Sequence, residues 1–121
     1  KVIILGITFK ENCPDTRNSK VEDIIKRLRE YEIDPVVIDP WADYNEAFKE
    51  YNVKLMPADE AKDADGIIFA VAHNEFKALT WEDISCMYRA DMPITERVLI
   101  DVKGIRDREE AMLQGYSYWR L

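Results

Sequence analysis

A chain of 121 residues has room for one domain, and 47% hydrophobic with 34% charged residues is an ordinary balance for a globular protein. The net charge of −7 argues against general nucleic-acid binding, which favours a basic surface. No apolar run approaches the roughly 20 residues that cross a bilayer, and the opening run is too short for a signal peptide. The chain begins on this run without Met, so we expect further sequence upstream. Cys13 and Cys86 form no metal or disulfide pattern and favour a cytoplasmic protein.

Short β-rich runs alternate with helical stretches along the chain. Residues 2–5 form a continuous apolar run, as expected of a strand buried on both faces of a parallel sheet. After a polar loop, Ser19 and Glu22 have the spacing of a capping box, and apolar residues recur at helical spacing as far as Tyr31. The later predicted strands are residues 35–39, 53–56, 66–72 and 98–102. The later predicted helices are residues 43–51 (with Ala47, Phe48 and Tyr51 inward), 58–62, a stretch capped by Asn74, 81–89 and 108–114, and the aromatic tail 116–121 is expected to pack down.

This alternation predicts an α/β fold: a Rossmann-like, doubly wound, mainly parallel sheet of about five strands with helices on both faces. In such sheets the ligand lies beyond the carboxyl ends of the strands, where the strand order reverses. That rule selects the loops at residues 6–18, 39–43, 72–76 and 101–106. The first has 13 residues, which is long for a connection between a strand and a helix and favours a functional role.

The first loop carries a recognisable pattern. Its run GITFKENCPDTRNSK resembles the G-[LI]-x-F-K-x-x-x-x-D-x-R-x-S segment of UDP-glucose/GDP-mannose dehydrogenases. The resemblance continues through VVIDPWAD, GIIFAVAHNEFKAL and IDVKGI, so it spans essentially the whole chain in matching order. The runs FKENCPDTRNSK and DVKG are most similar to the branch that acts on UDP-N-acetylhexosamines in Vi-type capsule and O-antigen pathways.

The resemblance implies a division of labour. Family members have an N-terminal NAD-binding domain, a helical middle segment with the catalytic groups, and a C-terminal domain that binds the UDP-sugar. Residues 1–121 are similar to the last of these. The implied enzyme is a cytoplasmic, homo-oligomeric NAD-dependent dehydrogenase that oxidises the sugar C6 alcohol of UDP-N-acetylhexosamine or UDP-glucose, with no nucleic-acid or membrane partner. The family's cysteine-bearing Gly-rich segment and a GxGxxG fingerprint are absent from these residues, so we expect the chain to bind without catalysing.

The resemblance also assigns site residues by motif position. Phe9, Lys10 and Lys103 correspond to substrate contacts, and Arg17 corresponds to a contact with NAD. Lys10 would supply a charge-assisted hydrogen bond and Phe9 an apolar wall. Lys103 stands where many relatives have arginine, so it keeps the charge and loses the planar fork. Together with Arg106, these cations predict a crevice suited to a diphosphate.

Each of these side chains also has an ordinary structural interpretation. Phe9 could be core packing, the two lysines could be solvated surface groups, and Arg17 could pair with Asp15 and stiffen the loop.

Other polar residues at the same edge have weaker claims on function. His73 is the only histidine, and a capping or turn role is favoured over contact with a sugar. Zinc is disfavoured because no cysteine cluster accompanies it, and we predict no catalytic or metal-binding residue. Cys13 does not match the position of the family nucleophile, Cys86 is expected to be semi-buried, and Asp39 is expected to cap the turn at Trp41.

Two other classes of protein share this pattern of elements. A free-standing flavodoxin-like signalling or interaction module is the main alternative, although a phosphoreceiver would need an acidic pair directly after the first strand. Here the first acid is Glu11. An autonomous NAD-binding domain would need the missing glycine fingerprint. Affinity for UDP, for neither nucleotide, or for NAD separates the three hypotheses.

Overall fold

The computed structural model describes residues 1–121 as a single sheet flanked by helices. The strands are β1 (Val2–Leu5), β2 (Val36–Ile38), β3 (Gly66–Phe69), β4 (Val98–Asp101) and β5 (Ser117–Arg120). The helices are α1 (Val21–Glu30), α2 (Tyr44–Tyr51), α3 (Asn74–Lys77), α4 (Trp81–Ser85) and α5 (Arg108–Gln114), with short 3-10 turns at Ala58–Glu60 and Ile94–Glu96.

All neighbouring strands are parallel, in the order β2-β1-β3-β4-β5. The chain leaves β1 toward one side to form β2 and returns to the other side for β3, so the strand order reverses between β1 and β3. Leu5 lies opposite Phe69, and Phe69 lies opposite Asp101, so β1, β3 and β4 end level with one another. The loops after these three strands therefore leave the sheet side by side. This arrangement confirms the predicted doubly wound α/β fold.

Buried apolar side chains form one cluster on each face of the sheet. Neighbouring residues of β1 divide between them: Ile3 packs on the face that carries Phe76, and Ile4 packs on the face that carries α1. Val21 and Ile25, one helical turn apart, are the residues that α1 buries there. Burial on both faces explains why β1 reads as an unbroken apolar run, and each such side chain stabilises the fold by about 1.5–3 kcal/mol.

The fifth strand is not the one expected. Residues 53–56 were predicted as a strand, but Leu55 makes only an isolated parallel bridge to Val37 at the edge of β2. Val53 and Leu55 are apolar because they are buried against that edge. The tail instead pairs with β4 in register, with Ser117 opposite Val98, and becomes β5. The aromatic side chains of the tail suit a pleated, half-buried surface.

Three helix predictions need correction. The Ser19 hydroxyl accepts the Val21 N–H at 3.2 Å instead of forming a capping box, and α1 begins without a side-chain cap. Helix α2 buries Ala47 but leaves Phe48 58% exposed, because the two adjacent residues point in different directions around a short helix. The helix predicted over residues 81–89 ends at Ser85, and its N-terminal capping box joins Thr80 and Asp83 rather than the residues expected for α1.

Candidate functional site

Asp39 is a buried carboxylate at the carboxyl end of β2. Its Oδ2 accepts the backbone N–H groups of Ile7 at 2.7 Å and Thr8 at 3.1 Å, while its Oδ1 accepts that of Trp41 at 2.8 Å. Burial acts to raise the pKa of Asp39, but hydrogen bonds from His73, Ile7 and Trp41 outweigh it and hold the pKa below its ordinary value. The ionised carboxylate caps the turn at Trp41, as predicted, and also fixes the start of the β1–α1 loop.

His73 follows β3 and is fully buried. Its Nε2 lies 3.0 Å from Asp39 Oδ2 and 3.1 Å from Thr8 Oγ1, and its Nδ1 accepts the backbone N–H of Asn12 at 2.9 Å. Because an accepting nitrogen carries no proton, the ring is the neutral Nε2–H tautomer. Its contact with Asp39 is therefore a charge-assisted hydrogen bond rather than an ion pair. The side chain makes no cap on α3 and cannot reach a ligand. Its partners instead join the loops that follow β1, β2 and β3.

These contacts fix the β1–α1 loop at both ends of its first half. Asn12, in the left-handed region with φ 54°, accepts the Asn74 N–H at 2.9 Å through its Oδ1. The Phe9 N–H donates to the Asp15 carbonyl at 2.7 Å, which closes the loop on itself. Between these anchors the Phe9 side chain is 54% exposed, and Lys10 is exposed beside it. The two predicted ligand contacts thus stand in solvent on a firmly held backbone.

Gly6 allows the loops after β1 and β3 to approach each other. Its φ is +105°, and an added Cβ would lie 2.5 Å from the Cβ of Val71. Glycine avoids both the backbone strain and the clash.

A second buried carboxylate organises the loop after β4. Asp101 Oδ1 accepts the Ile105 N–H at 3.0 Å, and Oδ2 accepts the Arg106 N–H at 2.8 Å and the Tyr118 hydroxyl at 2.6 Å. These bonds bend the backbone into a turn and leave Lys103 exposed. Because β4 lies two strands from β1, the loops bearing Lys10 and Lys103 originate roughly 10 Å apart. The sheet thus places two of the predicted cations on nearby loops at the same edge.

Arg106 is not available to a ligand, so its predicted place in a diphosphate crevice is wrong. Its guanidinium donates to the carbonyls of Phe76 and Lys77, both at 2.7 Å, and of Leu79 at 2.5 Å. These carbonyls lie at and just beyond the end of α3, where carbonyls lose their helical partners, although that of Phe76 also accepts the Leu79 N–H at 3.3 Å. Burial lowers the pKa of Arg106 from its ordinary value. The planar fork serves the fold, holding α3 against the loop after β4.

Arg17 lies on the other side of the site. Its Nε and one terminal nitrogen donate to the Asp15 carboxylate at 3.0 and 3.1 Å, and this hydrogen bonding lowers the pKa of Asp15. The pair borders an open groove of about 700 Å³ on the β2 side of the sheet. Three further carboxylates line this groove: Asp43, Glu46 and Glu50. The structure does not bring Arg17 together with Lys103, and the groove that Arg17 borders is acidic.

The edge of the sheet does not fit a dinucleotide. In NAD-binding sheets the backbone N–H groups after the first strand cradle the pyrophosphate. Here the corresponding N–H groups of Ile7 and Thr8 both donate to Asp39. Cys13 is half-buried at the groove, whereas Cys86, expected to be semi-buried, is exposed beyond α4. No set of three or more His, Cys, Asp or Glu side chains is placed to hold a metal ion, and no helix has the length and apolar character to cross a bilayer.

Comparison with known sequences gives the same family as the motif. The pattern of the UDP-glucose/GDP-mannose dehydrogenase family, UDP binding domain, matches residues 3–108. The chain is 42% identical over 114 residues to a UDP-N-acetyl-D-glucosamine 6-dehydrogenase of Pseudomonas aeruginosa, covering 94% of this chain and 26% of that protein. It is 38% identical over 120 residues to Protein CapL of Staphylococcus aureus, covering 99% and 27%. The chain therefore spans about a quarter of the length of these curated relatives.

Solved structures share the fold at low sequence identity. An NDP-N-acetyl-D-galactosaminuronic acid dehydrogenase from Methanosarcina mazei superimposes with a TM-score of 0.77 at 19% identity, covering 99% of this chain and 24% of that one. A UDP-D-ManNAc dehydrogenase from Pyrococcus horikoshii superimposes with a TM-score of 0.73 at 23% identity, covering 98% and 24%.

Proposed function

This chain belongs to the UDP-glucose/GDP-mannose dehydrogenase family, as its UDP-binding domain, and from that membership we propose that it binds the UDP-sugar of an NAD-dependent 6-dehydrogenase. The relatives at 42% and 39% identity are named for UDP-N-acetyl-D-glucosamine, so a UDP-N-acetylhexosamine is the proposed substrate, ahead of UDP-glucose. The parent enzyme would oxidise the sugar C6 alcohol to a carboxylate for surface polysaccharide synthesis. That chemistry belongs to segments outside these residues.

One observation carries the proposal: Lys10 and Lys103 stand exposed and outside every ion pair, on loops at the same edge of the sheet, in a protein with net charge −7. Arg17 and Arg106, the other two cations predicted at this site, are held by a carboxylate and by backbone carbonyls. Two free ammonium groups at the same edge of the sheet can donate charge-assisted hydrogen bonds to a diphosphate, each worth about 1.5–3 kcal/mol. The exposed ring of Phe9 offers an apolar face to the nucleotide base.

NAD has a smaller part in this chain. Because the N–H groups after β1 are taken by Asp39, the cofactor would be held mainly by the N-terminal domain of the parent. Arg17 is the residue proposed to reach it, exchanging its bond to Asp15 for a phosphate oxygen. We place the parent in the cytoplasm as a homo-oligomer, with no nucleic-acid or membrane partner, in keeping with the two free cysteines.

Calorimetric titration with UDP-N-acetylglucosamine, UDP and NAD tests the proposal, with amide NMR shifts to locate binding. We expect both UDP compounds to bind and shift residues around Phe9 and Lys10, while NAD shifts nothing at the ends of β1 and β3. Lys10→Ala and Lys103→Ala should each weaken binding about tenfold, the effect of one charge-assisted hydrogen bond. Lys62→Ala, which removes an exposed lysine ahead of β3 at the other end of the sheet, is the control and should bind normally.

Two results would overturn the assignment. UDP-N-acetylglucosamine could leave every amide shift unchanged at millimolar concentration, or all three lysine variants could bind equally well. Preferential binding of NAD would instead favour a dinucleotide domain.

A further inference from the structure

We propose that His73 is a positioning residue for UDP-sugar binding: by accepting the Asn12 N–H at Nδ1, it holds the β1–α1 loop in the shape that presents Phe9 and Lys10 to the ligand. The inference rests on the proposed function, and it assigns a task to a side chain that touches no ligand.

Both ring nitrogens of His73 take part in hydrogen bonds. Nδ1 accepts from Asn12, and Nε2–H is shared between Asp39 Oδ2 at 3.0 Å and Thr8 Oγ1 at 3.1 Å. Asp39 in turn accepts backbone N–H groups on both sides of the ring, from Thr8 and from Trp41. Both ring nitrogens of His73 are therefore engaged, and Asp39 ties the ring to the end of β2 as well as to the loop.

The imidazole of His73 is buried near the ends of β1 and β3. The strand order reverses between β1 and β3, which is where sheets of this class open a crevice for a ligand. In this chain the His73 ring fills that position and is 0% exposed. The ligand is consequently excluded from the crevice itself and must lie above it, on the loop that His73 supports.

The imidazole contacts the β1–α1 loop at two residues. Thr8 and Asn12, the two loop residues bonded to His73, stand one on each side of Phe9 and Lys10. Thr8 Oγ1 also donates to the Lys10 carbonyl at 3.0 Å. Asn12 adopts a left-handed backbone, which asparagine tolerates better than most residues, and its Oδ1 accepts the Asn74 N–H in that conformation. Releasing the Asn12 N–H frees one end of the segment that carries both ligand contacts.

The ring is packed as well as bonded. The Trp41 ring stacks on it with centroids 6.1 Å apart, and the Phe76 ring of α3 lies 5.5 Å away. Trp41 is itself held by Glu75, whose Oε1 accepts its indole N–H at 3.0 Å. A general loss of packing must therefore be separated from loss of the Nδ1 acceptor.

Two substitutions make that separation. His73→Asn places an amide oxygen near the position of Nδ1 and retains the acceptor for Asn12, while giving up the contact with Asp39. His73→Gln places an amide N–H near the position of Nε2 and retains the donor to Asp39, while giving up the acceptor. Both remove ring volume. Tyr88→Phe, which deletes a buried hydroxyl bonded to the Val98 carbonyl at the amino end of β4, is the control for a simple loss of stability.

The readouts are UDP-N-acetylglucosamine affinity and amide hydrogen exchange of the unliganded chain, with ring ¹⁵N shifts to verify the unprotonated Nδ1. We expect His73→Gln to bind about tenfold more weakly and to exchange the Asn12 amide at least about tenfold faster than wild type, as loss of one buried hydrogen bond predicts. His73→Asn should stay within about threefold in affinity, and Tyr88→Phe should bind as wild type does.

The proposal is overturned if the two His73 variants lose affinity equally, or if His73→Gln binds like wild type. It is also overturned if the Nδ1 shift shows a proton on that atom. Should the wild-type chain bind no UDP compound, the proposed function fails, whereas exchange at Asn12 still decides whether His73 holds the loop.

Discussion

Two buried aspartates, Asp39 after β2 and Asp101 at the end of β4, lie at the same edge of the sheet, and each fixes a loop that carries a proposed ligand contact. They do so over different distances along the chain. Asp39 binds local backbone groups at Trp41 and Ala42 through Oδ1, and through Oδ2 it binds backbone groups 31 and 32 residues away and a histidine 34 residues away. Asp101 binds backbone groups only 4 and 5 residues away, with Tyr118 as its one distant partner.

The comparison separates two ways to build a binding surface. The loop after β4 is a local turn that its own aspartate closes, so its shape depends on few other parts of the fold. The β1–α1 loop takes its shape from residues at the ends of β2 and β3, and exists in that form only when the sheet is assembled. We therefore expect the Asp39 region to be the more sensitive to substitution, in both stability and ligand binding.

A matched pair of variants, Asp39→Asn and Asp101→Asn, tests the comparison with the largest expected effect. Asp39→Asn removes the charge that several buried donors share and turns an amide N–H toward some of them, so it should lower the free energy of unfolding by about 3–4 kcal/mol. Asp101 accepts from fewer donors, so Asp101→Asn should lower the free energy of unfolding by about 2 kcal/mol. Urea unfolding at neutral pH measures both. Equal losses would remove the distinction between the two regions.

Arg106→Lys sharpens the comparison from the β4 side. An ammonium cannot reach the three carbonyls at the end of α3 together, so we expect a loss of about 2 kcal/mol in the free energy of unfolding. UDP-N-acetylglucosamine affinity should stay within about twofold, because the guanidinium faces the fold rather than the ligand. A tenfold loss of affinity without a loss of stability would contradict this and show that Arg106 contributes to ligand binding.

Acid sensitivity should be a smaller effect and should belong to the Asp39 region. Its pKa is lower in the folded than in the unfolded chain, so the stability it contributes is fully present above the ordinary Asp value, near 4, and is lost as the pH falls through the lowered pKa. Urea unfolding from pH 6 down to about pH 3 measures this loss. Asp39→Asn, neutral at every pH, should lose less stability on acidification than wild type. A parallel decline would assign the acid sensitivity to other carboxylates.

The sequence was sufficient to predict the fold class because buried strands leave a local pattern, a run of apolar residues. The apolar runs of β1 and β3 identify buried strands, and their ends identify the loops that form the site. The sequence could not decide between residues 53–56 and the tail as the fifth strand, because both stretches carry large apolar or aromatic side chains among polar ones. What decides is which sheet edge remains free: β4 offers the tail a full register, while Leu55 finds a single bridge.

The candidate site was predictable to a similar depth. Motif position identified Phe9, Lys10 and Lys103, which the structure leaves exposed at one edge; their contacts with a UDP-sugar stay a prediction. The charge of Arg106 could not show that its guanidinium donates to the carbonyls at the end of α3. Nor could the sequence connect His73 with Asn12, since those residues are 61 positions apart and meet only through the strand order.

The strand order has a consequence for how the chain can fold as it is synthesised. In β2-β1-β3-β4-β5, every strand after the first pairs with one that is already present, and none has to enter between two others. The sheet can therefore grow outward from β1 as the polypeptide emerges, with no intermediate to be dismantled. The residues of the loops at the ends of β1, β3 and β4 have all been made by Asp107, before β5, and β5 then adds the Tyr118 hydroxyl to Asp101. The backbone that carries Phe9, Lys10 and Lys103 is thus in place before the final strand joins the edge of the sheet.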